Sequence, residues 1–200
     1  LEEAGIVFMF APLLHPAMRH VGPVRKALGI TTIMNILGPL TNPAGAQRQV
    51  VGVADPALLE LIPDALAELG HVHALVVHGS PGMDEVSPAG PTSVAELRAG
   101  EVVRRYHVDP GKLGLEPVRL EELAGSEPAE NAVLIEAVLA GADGGARSAV
   151  VVNAAAALLV AGAVESWGEG ARLAETTLDQ GKGAEALARL RDASARAAGD

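Results

Sequence analysis

The chain has 200 residues, 49% of them hydrophobic and 20% charged, with a formal net charge of −10 and no cysteine. That size suits one domain, or one and a half, with a real core, and the missing cysteine excludes disulfides, thiolate metal sites and thiol nucleophiles. The acidic balance and an aromatic content of 2% exclude the basic grooves and stacking platforms that hold nucleic acid, and speak against an anionic membrane surface as partner. The longest nearly apolar run, 149–164, is shorter than the ~20 residues of a membrane span and reads as a buried helix. No basic leader followed by an apolar core opens the chain, which fits the cytoplasm. The opening LEEAG reads as a helix interior, so a piece of a longer protein is expected.

Between Glu3 and Asp55 there is no acidic residue, while Arg19, Arg25, Lys26 and Arg48 stand there with His15 and His20. A basic island in an acidic chain is where a small anion is expected to be held. The same stretch is punctuated by His15-Pro16, Gly22-Pro23, Gly38-Pro39 and Asn42-Pro43, rigid turns that suit a preformed pocket. Residues 15–28 read as helix broken at Gly22-Pro23, with Gly29 as its stop. The Val-rich run 49–54 predicts a strand. Asp55 is the expected N-cap of a helix reaching Leu69, with Pro63 a kink inside it. The apolar run His73–His78 predicts a buried parallel strand, followed by a loop rich in Gly and Pro over 79–91. Thr92–Val108 alternates around Ala99-Gly100 as an antiparallel hairpin. Helices are expected over 129–140, 149–164, 166–179 and 183–198. The predicted class is α/β: a mostly parallel sheet flanked by helices, with one antiparallel hairpin.

Arg25, on a Pro-pinned helix start, would present a planar fork that matches a carboxylate bidentately. His15, held extended before Pro16, could hydrogen-bond or stack against a flat ligand. Gly38 and Pro39 could bring rigid backbone close to a ring. Asp84 and Glu85 follow a strand in a loop, where α/β sheets bind ligands, and two carboxylates suit Mg²⁺. Each has a plainer role open to it: a surface arginine, a structural histidine, a tight turn, a solvated acidic loop. No phosphate loop, dinucleotide fingerprint, HExxH or GxSxG pattern occurs in the chain. No residue is assigned as a proton-transfer or covalent catalyst.

The ordered motifs HPAMRHVGPVRKALG, NILGPLTNP and GSPGMDEVSP, with the later NAAAALLVAG, resemble the anthranilate phosphoribosyltransferases of tryptophan biosynthesis over essentially the whole chain. The resemblance implies a phosphoribosyl transfer from phosphoribosyl diphosphate (PRPP) to the amine of anthranilate, with Mg²⁺. It implies Arg25 as the carboxylate clamp, His15 as a lining of the anthranilate channel, and Gly38 and Pro39 as bordering backbone. Asp84 and Glu85 become the metal carboxylates. It divides the chain into an anthranilate-site segment, 1–48, with a remnant of a small helical domain near 12–29, and an α/β domain, 49–200. That family is typically a homodimer through its helical domain. Its glycine-rich donor loop, and the Asn, Ser and Lys residues that complete the donor site, are not found here, so these residues alone are expected to be inactive. Thr31 stands where the family usually has Arg, and Met34 where it usually has Phe. Two other readings stay open: a nucleoside phosphorylase-like enzyme of the same fold, and a non-catalytic module binding a small carboxylate.

Overall fold

The structure, a computed structural model, describes residues 1–9 and 37–199. A short helical turn, α1 (Leu37–Leu40), leads to strand β1 (Arg48–Gly52), helix α2 (Leu58–Glu68) and strand β2 (His73–Gly79). Strands β3 (Thr92–Arg98) and β4 (Glu101–Val108) follow, then two short 3-10 turns and four α-helices: α3 (Pro128–Leu139), α4 (Gly145–Ala161), α5 (Trp167–Asp179) and α6 (Lys182–Gly199). The strands form one sheet in the order β1-β2-β3-β4. β1 and β2 run parallel, with Val51 opposite Val76, whereas β2–β3 and β3–β4 run antiparallel. Helices cover both faces, as the α/β reading expects. The expected parallel majority is not met among the described residues, because the hairpin also pairs antiparallel to β2. The expected helical remnant near 12–29, and residues 10–36 of the proposed 1–48 segment, lie outside the described residues.

β2 explains the apolar run that announced it. Ala74 and Val76 pack with Ile62 and Leu66 of α2 on one face. Leu75 and Val77 pack with Val151, Val152, Ala155 and Leu159 of α4 on the other. A strand buried on both faces has no polar side to alternate with. The alanines of α4 have a separate purpose. A Cβ on Gly170 of α5 would meet the Ala155 Cα at 2.9 Å, so small residues on both helices let the backbones approach.

Local signals mostly land where their physics puts them. Ser166 accepts a hydrogen bond from the Glu169 N–H at 3.3 Å and caps α5. Gly162 takes a left-handed conformation and ends α4 three residues before the expected close. Ala99 and Gly100 both have positive φ, 55° and 83°, the geometry whose twist matches a two-residue hairpin. Asp55 is not the helix cap. Its carboxylate accepts from the Ala57 N–H at 2.9 Å in a turn, and α2 starts only at Leu58. Pro63 is buried inside α2, which continues through it. LEEAG makes a single turn closed by the Gly5 N–H on the Leu1 carbonyl at 2.8 Å, not a helix.

Candidate metal loop and acceptor cleft

The acidic pair sits on the loop that leaves β2 and crosses the carboxyl end of β1. Two glycines make the crossing possible. A Cβ on Gly52, the last residue of β1, would lie 1.4 Å from the Asp84 carbonyl oxygen. A Cβ on Gly79, the last residue of β2, would lie 2.5 Å from the Glu85 carbonyl oxygen. Side chains at either position would occupy the space the loop now fills, so both acids owe their placement to missing methyl groups.

Hydrogen bonds hold the loop from within. The Gly79 N–H donates to the Met83 carbonyl at 2.8 Å, and the Met83 N–H returns a bond to the Gly79 carbonyl at 2.7 Å. Ser87, fully buried, donates its hydroxyl to the Ser80 carbonyl at 2.6 Å and its N–H to the Thr92 hydroxyl at 2.9 Å. Behind the pair, the Asn153 carboxamide of α4 brackets Val86, accepting from its N–H at 2.9 Å and donating to its carbonyl at 2.9 Å.

Asp84 and Glu85 themselves are exposed. The loop nonetheless withdraws enough water to raise the Glu85 carboxyl above its ordinary 4.5, and the charge and hydrogen bond of Asp84 raise it further. Two crowded carboxylates with oxygen donors only are what a hard dication relieves. Among the described residues no three His, Asp or Glu side chains converge. The donor set therefore fits Mg²⁺, which takes one or two carboxylates and completes its shell with water and phosphate oxygens.

Gly38 is exposed in α1. It borders a cavity of about 320 Å³ whose lining includes Asn42, Pro43 and Gly52. Gly52 is the residue packed against Asp84, so this cleft and the acidic loop share a wall. Nothing of the Pro39 side chain is described, and Arg25, His15, Thr31 and Met34 lie outside the described residues.

Other cations and imidazoles serve the scaffold. Arg48, counted in the basic island, donates Nη1 to the Val160 carbonyl at 2.6 Å, near the carboxyl end of α4. His78 donates Nδ1–H to the Val53 carbonyl at 2.8 Å and ties the ends of β1 and β2 together. His71 donates to the Leu66 carbonyl at 3.1 Å, and His73 lies 3.2 Å from Glu96. Gly52, Gly79 and Asn153 escaped the sequence reading. The available signals were a glycine closing each strand, which marks close backbone approach, and one carboxamide inside an apolar helix.

The family description "Glycosyl transferase family, a/b domain" matches residues 1–184. A curated anthranilate phosphoribosyltransferase from Roseiflexus castenholzii is 52% identical over 191 residues, 95% of this chain and 55% of the relative. Another from Methanosarcina acetivorans is 52% identical over 182 residues, 91% of this chain and 49% of the relative. The crystal structure of the Thermus thermophilus enzyme of that name superposes with a TM-score of 0.87 at 43% identity, covering 94% of this chain and 56% of that one. The Saccharomyces cerevisiae enzyme in complex with PRPP and Mg superposes with a TM-score of 0.84 at 31% identity, covering 93% of this chain and 54% of that one. The chain thus spans about half the length of the curated relatives it matches. With the family description matched along nearly all of it, this chain belongs to the glycosyl transferase family and carries its a/b domain.

Proposed function

We propose that this chain forms the α/β portion of an enzyme that moves the phosphoribosyl group of PRPP onto the amine of anthranilate and releases diphosphate, in tryptophan biosynthesis. The observation that carries the reading is identity near one half to curated anthranilate phosphoribosyltransferases, in a chain that presents a braced carboxylate pair at the carboxyl end of its parallel strands. In this reading residues 1–48 supply the acceptor site and 49–200 the metal loop. The donor loop that the resemblance places upstream is not among these residues, so the isolated chain forms no product. The complete enzyme works in the cytoplasm as a homodimer.

The aromatic amine of anthranilate is uncharged and nucleophilic at neutral pH, so the site needs no strong base. Rate comes from positioning and from relief of charge on the leaving diphosphate. The Arg25 guanidinium grips the acceptor carboxylate bidentately and fixes where the amine points. His15, Gly38 and Pro39 line the acceptor. Asp84 and Glu85 hold Mg²⁺, which when bound supplies positive charge to the diphosphate oxygens.

Product formation from PRPP and anthranilate by the intact protein tests the proposal. Asp84→Asn should raise the Mg²⁺ concentration needed for half-maximal turnover. An unchanged Mg²⁺ requirement removes the metal assignment, and absence of any product with wild-type protein removes the reaction.

A further inference from the structure

We infer that Asn153 is the positioning residue of the metal loop: its carboxamide, anchored in α4, holds Val86 and thereby sets where Asp84 and Glu85 stand. This rests on the metal reading above, and it assigns a function to a residue far from the acids in sequence.

The argument starts from the chemistry of one side chain. A carboxamide presents one acceptor and one donor side by side, the same pair a backbone peptide offers. Asn153 uses both on a single residue, with the Val86 N–H and carbonyl each at 2.9 Å. Its amide also donates to the Ala149 carbonyl one turn back, at 2.9 Å, which fixes the side chain against its own helix. Val86 is buried, so its two backbone groups have no ready replacement in water.

The leverage comes from location. Val86 is one bond along the chain from Glu85. Glu85 and Asn153 border the same cavity of about 260 Å³, with Met83 and Leu134. On the opposite side the loop is stopped by Gly52 and Gly79. The acids therefore stand between two backbone stops and one side-chain clamp. Because α4 packs through Val152, Ala155 and Ala156 into the core, the clamp is anchored in the scaffold and not in the loop. Other side chains fail in definite ways. Asp keeps the acceptor but not the donor, and its charge faces the Val86 carbonyl. Leu keeps the volume but orphans both backbone groups of Val86.

The test is Mn²⁺ binding to the intact protein, read without added diphosphate from the electron paramagnetic resonance signal of free Mn²⁺, with the melting temperature of each variant measured beside it. Glu85→Gln sets the scale. Asn153→Leu should weaken Mn²⁺ by about tenfold or more, the usual loss when a group orienting a metal ligand is removed. Asn153→Asp, the milder change, should fall between wild type and Asn153→Leu, and it carries the test should Asn153→Leu not fold. The double variant Glu85→Gln/Asn153→Leu should lose less than the sum of the two single losses, because Asn153 acts in part through Glu85. Asn153 variants with a lower melting temperature but wild-type Mn²⁺ affinity, or losses that add in the double variant, would overturn the inference and leave the metal reading standing. If Glu85→Gln and Asp84→Asn leave Mn²⁺ affinity unchanged, the metal reading and this inference fall together.

Discussion

Gly52→Ala isolates the contact on which the acidic loop depends. The new Cβ would lie 1.4 Å from the Asp84 carbonyl oxygen, where ordinary contact begins at 3.4 Å. Strand and loop must therefore separate by about 2.0 Å, the difference between those distances. The obstacle is backbone, not the end of a flexible side chain. β1 cannot yield easily, since Val51 and Val53 on either side of Gly52 are buried in the core under α2. The loop cannot swing away as a body either, because Asn153 and the Gly79–Met83 bridge hold it. Overpacking of this kind costs typically 1–3 kcal/mol, and the absence of a compliant partner places this case at about 3 kcal/mol. For a chain of this size that is a fall of about 6–12 °C in melting temperature. Calorimetry of the intact protein reads the stability, and Mn²⁺ affinity reads the loop. We expect both to drop. A Gly52→Ala protein that melts with wild type and binds metal as tightly would refute the reasoning.

In the intact enzyme, Arg25→Ala should raise KM for anthranilate by about ten- to hundredfold, the loss of a charged bidentate bond, with a smaller change in KM for PRPP; equal changes would remove the clamp role. Ala99→Asn should stabilise the hairpin by about 0.5–1 kcal/mol, because Asn tolerates the left-handed conformation that Ala99 adopts at φ 55°; an unchanged or lower urea midpoint would count against it. Stability should also fall in acid. Burial holds the His73 imidazole below its ordinary 6.5, although its hydrogen bond to Glu96 works the other way. The unfolded chain thus takes up the proton first, so the contribution is complete above pH 6.5 and declines beneath it. Burial would raise Glu96, yet hydrogen bonds from Arg104 and Tyr106 outweigh it and hold the carboxyl below 4.5, which adds a second decline under pH 4.5. Urea titrations at pH 8, 6, 5 and 4 follow both steps, and a flat profile from pH 8 to 5 contradicts the first.

Much of the fold was legible along the chain. β2 announced itself by a continuous apolar run, and the hairpin by Ala99-Gly100 between alternating strands. These are local effects of propensity and period, and they survive folding because burial agrees with them. The errors fell where tertiary contact arbitrates. Asp55 looks like a cap in sequence, but its carboxylate closes a turn and leaves α2 to begin on apolar residues that dock against the sheet. The hairpin gives no sequence hint of which neighbour it joins, and its antiparallel pairing to β2 changed the balance of the sheet. Arg48 looked like part of an anion site until its guanidinium was found on the Val160 carbonyl.

The candidate site divides the same way. The amino-acid order by itself determined the chemical inventory: two adjacent carboxylates after a strand, a stretch with cations and no acids, and no cysteine for any alternative chemistry. Those follow from composition and from the turn residues around them. What only the tertiary structure decided is how the acids are held. Gly52 is 32 residues before Asp84, and Asn153 is 67 residues after Val86. A missing methyl group and a carboxamide acquire meaning only when the chain brings another segment within about 3 Å of them, because steric exclusion and hydrogen bonding vanish beyond contact range.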